Sequence, residues 1–239
     1  MLKKERQDHI VEMLKEQKYC SVSMIANTLY VAPITVRRDL AEMEADGIIN
    51  RCHGGATLNS SENREVPFEL RTKENSSVKS ILGKKAAEML QDGDTVFMDA
   101  SSTVLHIADY LQTKQNLTVI TNSIKVLEKL KGKQITCYLT GGMLLENSHA
   151  LVGNVAEETI SSMYADICFF SSQGITEDGV ITDFSDAETK LRKQMIRNAK
   201  KSIFLYDQSK VGKRFLFKVC DSNELFTMIT NDDATEGPN

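Results

Sequence analysis

Apolar residues near the start of the chain recur every three or four positions, which is the spacing of one buried helix face. Two such stretches predict an amphipathic helix over about 4–17 and a shorter helix around 25–29. The connection at 30–32 is too short for anything but a sharp turn. Pro33 follows, and because a missing backbone N–H costs nothing in the first turn of a helix, a third helix is predicted to begin there.

The third helix has two chemically different sides. Its apolar positions share one face by their spacing: Val36, Leu40 and Met43. Thr35, Arg37 and Arg38 point elsewhere. Arginine can donate two hydrogen bonds to O6 and N7 of guanine, a contact worth roughly 1–3 kcal/mol of discrimination. The pattern therefore predicts a recognition helix that reads the major groove of double-stranded DNA.

A short hairpin is predicted after Gly47, over 48–55, because paired glycines follow a short run that begins with two isoleucines. Arg51 and His53 would then lie near a wing that contacts phosphates or the minor groove. The alternative is that adjacent arginines mark only a solvated helix face. Charge does not favour DNA binding either, since residues 1–57 contain eight basic and eight acidic side chains.

Beyond residue 78, short apolar runs alternate with helix-like stretches. Six runs predict buried strands, at 95–98, 117–120, 135–139, 167–170, 203–206 and 226–229. The helix-like stretches lie at about 78–90, 103–112, 123–131, 153–163 and 185–200. Buried strands separated by helices predict an α/β fold, a mostly parallel sheet covered on both faces. The polar segment 58–77 between the two patterns has the composition of a linker, in which Phe68 and Leu70 are apolar side chains that can still dock on a domain.

Polar groups follow several of these runs, at the strand ends where ligands bind in open α/β sheets. They are Asp99, Ser101, Ser102, Thr103, Thr121, Asn122, Gly141, Gly142 and Lys210. The loop 101–103 leads into a helix start, where backbone N–H groups suit a phosphate. Each feature taken alone has a simpler interpretation: the hydroxyl residues at 101–103 as a helix cap, Gly141 and Gly142 as a turn, and Lys210 as a surface lysine. Together they predict a phosphorylated sugar ligand, whose hydroxyls would meet Asp99, Asn122 and either Glu188 or Lys190.

The composition excludes several other classes of protein. The 239 residues carry a net charge of −4, all of it outside the neutral segment 1–57, so the larger part is not a nucleic-acid surface. Five cysteines form no CxxC pair, and we expect no metal and no cofactor. No run approaches the roughly 18 apolar residues of a membrane helix, so we expect a cytoplasmic protein without membrane contact.

Two groups of motifs resemble one family. T-V-R-R-D-L at 35–40 and R-C-H-G-G-A at 51–56 are similar to the N-terminal signature of the DeoR family of bacterial transcriptional regulators. D-A-S-S-T, T-N-S, L-T-G-G, E-T-K and D-Q-S-K resemble its sensor-domain motifs, at 99–103, 121–123, 139–142, 188–190 and 207–210. The resemblance implies a winged helix-turn-helix domain and a sensor domain related in fold to ribose-5-phosphate isomerase. Two positions depart from the pattern: Ala32, where a serine cap is usual, and Ser101, where glycine is common.

Three functions compete on this evidence. The leading hypothesis is a repressor of a sugar or polyol operon, at least dimeric, which a phosphorylated sugar releases from operator DNA. The alternative is a sugar-phosphate isomerase with an attached DNA reader, using Glu188 or Asp99 as base and Lys210 to stabilise an enediolate. A third is a DNA-binding scaffold whose larger domain only oligomerises. The predicted domains are 1–57 for DNA binding, 58–77 as linker and 78–239 for effector sensing.

Overall fold

The structure is a computed structural model that describes residues 2–17, 19–52, 54–58 and 66–231. The chain forms two compact units, Met1–Glu62 and Asn63–Asn239, called here the N-terminal and C-terminal units. The division falls five residues later than the predicted end of the first domain, and part of the predicted linker belongs to the C-terminal unit. None of the helices in the described ranges is long and apolar enough to cross a membrane.

The N-terminal unit combines three helices with a small antiparallel sheet. The helices are α1 (Lys3–Gln17), α2 (Val22–Leu29) and α3 (Pro33–Ala45). The strands are β1 (Tyr19–Ser21), β2 (Ile49–Cys52) and β3 (Gly55–Leu58). Strand β3 lies between the other two. The predicted helices and hairpin are present, and β1 is an additional strand, because a three-residue segment carries no readable periodicity.

Helix starts in this unit differ in how they are capped. The Ser21 hydroxyl accepts a hydrogen bond from the Met24 amide at 3.1 Å, which satisfies one of the unpaired amides at the start of α2. Ala32 stands at the same position of α3 and offers no such bond, while Pro33 opens the helix. The core beneath the helices is formed by fully buried apolar side chains, which include Ile10, Leu14, Ile25, Leu40 and Met43.

A six-stranded sheet forms the centre of the C-terminal unit, and every neighbouring pair of its strands is parallel. In chain order its strands are β4 (Thr95–Met98), β5 (Thr118–Thr121), β6 (Thr136–Leu139), β9 (Ala165–Phe170), β12 (Ala199–Leu205) and β14 (Thr227–Ile229). Their order across the sheet is β14-β12-β9-β4-β5-β6. The predicted parallel α/β architecture is confirmed, with all six predicted runs as its strands.

Helices cover both faces of the sheet. They are α4 (Phe68–Lys73), α5 (Ser76–Glu88), α6 (Ile124–Leu130), α7 (Asn154–Ser161) and α8 (Asp186–Arg197). Alternate residues of one strand supply the two cores: Val96 and Met98 pack with α5, and Phe97 packs with α7 and α8. The predicted helix at 103–112 is a 3-10 helix, Val104–Thr113.

Smaller strands that the sequence did not predict complete this unit. They are the hairpin of β7 (Met143–Leu145) with β8 (Ala150–Val152), and a sheet of β10 (Gly174–Ile175), β11 (Val180–Asp183) and β13 (Phe217–Asp221). At the turn before β7, Gly142 has a φ of +108°, and a Cβ there would lie 2.5 Å from the Val152 carbonyl oxygen. Glycine is therefore required at this position by packing alone.

The second half of the predicted linker is helical and docked. Phe68 is buried in the core of the C-terminal unit, its amide donates to the Asn147 carbonyl at 2.9 Å, and its ring meets His149 edge-on at 5.6 Å. The polar composition of 58–77 concealed this segment because one aromatic side chain provides most of its buried apolar surface.

Candidate DNA interface and effector site

Three side chains of α3 face away from the core, as predicted. Thr35 is half-buried, whereas Arg37 and Arg38 are exposed. Within the described ranges, neither guanidinium group has an ion-pair or hydrogen-bond partner, so both can bind a ligand without breaking an existing contact. Two unpaired guanidinium groups near the start of a helix suit the bidentate recognition of bases or phosphates.

The opposite side of α3 is held by an ion pair that the sequence analysis missed. Arg6 of α1 donates from Nε and Nη2 to the two carboxylate oxygens of Asp39, at 2.5 and 3.0 Å, and both side chains are buried. Asp39 lies three positions after Val36 and one position before Leu40, both on the apolar face of α3. The spacing therefore indicated that Asp39 lies on that face too. The pair fixes the rotation of α3 and therefore which residues it presents.

The wing contains the other predicted DNA contacts. The Arg51 side chain lies 3.6 Å from Glu44 of α3, and its amide donates to the same carboxylate at 3.1 Å. His53 lies outside the described residues. Because the Arg51–Glu44 pair is exposed, it is weak, and Arg51 can exchange Glu44 for a phosphate at little cost.

In the C-terminal unit, the strand-end residues lie around a buried arginine, Arg192 of α8. Its guanidinium donates to Asp99 after β4 at 2.7 Å and to Asp183 of β11 at 2.8 Å, and Glu188 lies 3.7 Å away. All four side chains are almost completely buried. Burial raises the pKa of Glu188, an effect that Arg192 partly offsets. We call these four residues the arginine-carboxylate cluster.

Asn122, which follows β5, lies against this cluster. Its Nδ2 donates to the Leu151 carbonyl at 3.2 Å, but its Oδ1 is buried with no donor among the described residues. The recess that Asn122 shares with Asp99 and Glu188 is too narrow for a water molecule. A buried acceptor without a donor is unfavourable by roughly 1–3 kcal/mol, and a hydroxyl donor reaching it would remove that penalty.

Other predicted residues of the strand ends have structural partners. The Thr121 hydroxyl donates to the Met98 carbonyl at 2.6 Å, and the Ser101 hydroxyl accepts from the Val104 amide at 3.2 Å. Ser101 thus uses its side chain to hold the amide of the first residue of the following 3-10 helix. By contrast, the amides of Ser102 and Thr103, whose side chains are buried, have no acceptor among the described residues, so they can bind an anion.

The remaining predicted residues divide between this edge and the surface. Gly141 and Gly142 form the turn after β6, with Gly142 required by packing as described above. Lys210 lies after β12, and its ammonium donates to Gln173 at 3.3 Å. Lys190 lies on the solvent side of α8, where its ammonium is 2.7 Å from Asp186, so the structure does not bring it to the other candidates.

Two buried charged residues, Arg192 and Lys79, were not among the predicted site residues, although helical spacing places both on buried helix faces. Arg192 falls between Glu188 and Met195 on the inner stripe of α8, and Lys79 of α5 precedes Leu82 and Ala86 on the inner stripe of that helix. A charged residue on an apolar stripe is a signal of a buried site. Both were therefore detectable from the sequence as buried charges, although their partners were not.

These elements define a class of protein: a DNA-binding winged helix-turn-helix unit followed by an α/β unit whose strand ends carry clustered polar and charged side chains. A model of the DeoR-like helix-turn-helix domain matches residues 6–62, and a model of the DeoR C-terminal sensor domain matches residues 74–232. The chain therefore belongs to the DeoR family of transcriptional regulators.

Two similar bacterial regulators agree with this assignment. The HTH-type transcriptional regulator GolR of Listeria innocua is 33% identical over 229 residues, which cover 95% of this chain and 90% of that protein. The lactose phosphotransferase system repressor of Staphylococcus epidermidis is 30% identical over 240 residues, covering 99% and 95%. Ribose 5-phosphate isomerase A of Methanocaldococcus jannaschii aligns with a TM-score of 0.44 and 17% identity over 58% of this chain and 56% of that chain.

Proposed function

We propose that this regulator is a repressor of carbohydrate-utilisation genes, which binds operator DNA as a homo-oligomer and releases it when a phosphorylated sugar binds at the strand ends. The observation that carries the sugar half of the proposal is the buried Asn122 oxygen without a donor, beside the arginine-carboxylate cluster. Sugar hydroxyls supply the hydrogen-bond donors that this acceptor-rich site lacks.

DNA binding is assigned to α3 and the wing. Thr35, Arg37 and Arg38 are presented on the side of α3 opposite its buried face, with Arg51 on β2. Because the segment is electrically neutral, one copy has little electrostatic affinity for DNA, and two copies on neighbouring half-sites are needed for tight binding. This requirement supports an oligomer of at least two chains, as does the two-fold symmetry of most operators.

Release is assigned to a change in the C-terminal unit. The recess beside Asn122 is too narrow for water, so a sugar that enters it must move α8 away from the ends of β4 and β5. A ligand that binds only the opened arrangement shifts the population towards it. In the opened arrangement the distance between the α3 helices of two chains changes. The two helices then no longer fit two DNA half-sites that lie about one helical turn apart.

We infer that the protein is not an isomerase. The two candidate bases, Asp99 and Glu188, both lie within 4 Å of Arg192, and Asp99 accepts hydrogen bonds from Arg192 and from the Ser101 amide. The Asp99 oxygens that would take a proton from a substrate are therefore already used as hydrogen-bond acceptors. Purified protein is expected to leave ribose 5-phosphate unchanged, and turnover above background would contradict this inference.

The repressor proposal is tested by fluorescence anisotropy of labelled DNA from upstream of the gene, with an unrelated sequence of equal length as control. The full-length protein should bind the first DNA more tightly at the same salt concentration. A panel of pentose and hexose phosphates is then added, each beside its unphosphorylated sugar. Release by a phosphorylated member alone supports the proposal. Equal affinity for both DNAs would refute the proposed operator binding. No response to any phosphorylated sugar would refute the proposed effector.

The role of Asn122 is tested in the same assay. Asn122→Ala removes the buried acceptor and should raise the concentration of effector needed for release by about tenfold, since one hydrogen bond is lost. Lys125→Met, which changes a partly exposed lysine paired with Glu128 on α6, serves as the control. An Asn122→Ala protein with the unchanged effector response would exclude this residue from the site.

A further inference from the structure

An exposed isoleucine near the start of α3 is not explained by the fold of the N-terminal unit. Ile34 is the second residue of α3 and is 69% exposed. Among the described residues of this unit, it packs neither in the core nor against it. Isoleucine is also a poorer helix former than alanine, because its branched Cβ loses rotamer freedom in a helix. Neither core packing nor helix propensity therefore accounts for an isoleucine at this position.

Ile34 lies on the side of α3 that is opposite the core. With 3.6 residues in each turn, it is rotated by about 160° around the helix axis from the buried Val36. Arg38 lies four positions after Ile34 and Ala41 lies seven positions after it, and both are exposed on the same side. We call Ile34, Arg38 and Ala41 the outer stripe of α3. Because the alanine side chain is small, another molecule can approach the helix closely along this stripe.

The outer stripe carries no carboxylate. The three acidic side chains of α3 are each paired with a basic residue of the same unit: Asp39 with Arg6, Glu42 with Lys3 at 2.5 Å, and Glu44 with Arg51 at 3.6 Å. Arg37 and Arg38 are exposed, and in the described part of the chain neither is paired with a carboxylate. The surface around Ile34 therefore combines an apolar side chain with positive charge that is free to meet an anion. This combination fits the base edges and phosphates of duplex DNA.

We propose that Ile34 recognises the 5-methyl group of a thymine in the major groove of the operator. This inference rests on the DNA-binding half of the proposed function and deepens it. Thymine is the base that presents a methyl group in the major groove, and apolar side chains distinguish it by contact with that group. Residues near the start of a recognition helix are the ones that reach the base edges. On binding, Ile34 loses no existing contact and its apolar surface is removed from water.

The spacing along α3 predicts where this thymine lies. Arg38 is about 6 Å further along the helix axis than Ile34, since each residue advances the helix by about 1.5 Å. Successive base pairs are about 3.4 Å apart. A helix that lies along the groove therefore places the two side chains about two base pairs apart. Because arginine suits the O6 and N7 atoms of guanine, each half-site is expected to contain a thymine about two base pairs from a guanine.

The test uses the full-length protein and a DNA duplex selected for binding from a random library, so it does not depend on which genes the protein regulates. Each thymine of the selected sequence is replaced in turn by deoxyuridine, which lacks the methyl group and keeps every hydrogen-bonding atom of the base. Anisotropy titrations without any sugar compare the wild type with Ile34→Ala. Ile81→Ala is the matched control, because Ile81 is an exposed isoleucine on α5 of the C-terminal unit.

We expect one thymine in each half-site at which deoxyuridine weakens binding of the wild type and of Ile81→Ala by about fourfold, the effect of removing one apolar carbon from a contact. Ile34→Ala should bind the unmodified duplex at least fourfold more weakly, and its affinity should not change with deoxyuridine at that position. Such coupling between a side chain and one methyl group would not arise from a purely structural role. Ile34→Val, which keeps the branched Cβ, should retain part of the response. The melting temperature of Ile34→Ala should equal that of the wild type.

Three results would overturn the inference. In the first, no thymine responds to deoxyuridine, or Ile34→Ala responds at the same positions and by the same factor as the wild type. In the second, Ile34→Ala binds the unmodified duplex with wild-type affinity. In the third, Ile34→Ala keeps the response to deoxyuridine but weakens association between chains in sedimentation velocity, which would make Ile34 a contact between protomers.

These results can be distinguished from a failure of the proposed function. In all three, the protein still binds a selected sequence specifically, so the proposed repressor function stands and only the role of Ile34 is refuted. If the library yields no preferred sequence, operator binding is refuted and the role of Ile34 with it. A lack of response to every phosphorylated sugar would refute the proposed effector and would leave the reading of thymine by Ile34 intact, because these titrations contain no sugar.

Discussion

Replacement of Lys79 by methionine should stabilise the ligand-free C-terminal unit. The pKa of Lys79 falls from 10.5 to about 8, so its charge favours the unfolded state at pH 7. Each pKa unit corresponds to about 1.4 kcal/mol, which makes the cost of the buried charge about 3 kcal/mol. Methionine loses the two hydrogen bonds that the Lys79 ammonium donates, to the Arg71 carbonyl and to the Ser102 hydroxyl, at about 1 kcal/mol for each unsatisfied acceptor. The expected net gain is about 1 kcal/mol.

The same reasoning gives the sign of the pH dependence. Between pH 8 and 10.5 the unfolded wild type binds a proton on Lys79 that the folded protein has lost, so wild-type stability rises with pH in this window. Methionine has no proton to lose, so the advantage of Lys79→Met should be largest at pH 7 and should shrink by pH 9.5. Urea unfolding followed by circular dichroism at the two pH values measures both quantities.

Lys200→Met is the control in this experiment, because Lys200 is exposed beside Asp166 and an exposed ion pair contributes only about 0–1 kcal/mol. A Lys79→Met protein that is clearly less stable than the wild type at pH 7 would refute the reasoning. A difference in the free energy of unfolding between the two proteins that is the same at pH 7 and pH 9.5 would also refute it. In either case Lys79 would not be an uncompensated buried charge.

Three further predictions concern the N-terminal unit. Arg37→Ala and Arg38→Ala should each weaken operator binding by roughly 1–3 kcal/mol in an anisotropy titration with little change in melting temperature, whereas unchanged affinity would exclude that arginine from the interface. Asp39→Asn should destabilise the unit by about 3–5 kcal/mol in urea unfolding, since it leaves the Arg6 charge buried without a counterion, and a loss below 1 kcal/mol would contradict the pair's importance. Ala32→Ser should stabilise α3 by roughly 1 kcal/mol by supplying the missing cap, a gain that calorimetry would detect and that a destabilised variant would disprove.

Local patterns were sufficient for most of the architecture. The helix over Pro33–Ala45 and the strand over Thr95–Met98 follow from apolar spacing and from the residues at their ends, which act within a few positions along the chain. Strands β1, β7, β8, β10, β11 and β13 were not predicted. The first four have two or three residues, too few to show a period, and all six pair with segments that the chain brings to them only after folding.

The candidate site, like the fold, could be predicted from the sequence only in part. The sequence determined that polar groups such as Asp99, Asn122 and Lys210 follow buried strands, and therefore that they lie at one edge of a parallel sheet. It did not determine which charges meet there. Arg192 reaches Asp99 across 93 positions because β4 lies beside β9 near the middle of the sheet and α8 packs over its end.

Strand order and helix packing are decided by the burial of the whole apolar surface, to which residues distant in the chain contribute jointly. Only the tertiary structure could therefore show that Asp99 is held by an arginine and that, among the residues the structure describes, the Asn122 oxygen has no donor and Lys79 has no carboxylate within ion-pair distance. The sequence by itself determined the kinds of element and the polar character of the strand ends. The fold decided which of those polar groups meet a partner within the described part of the chain.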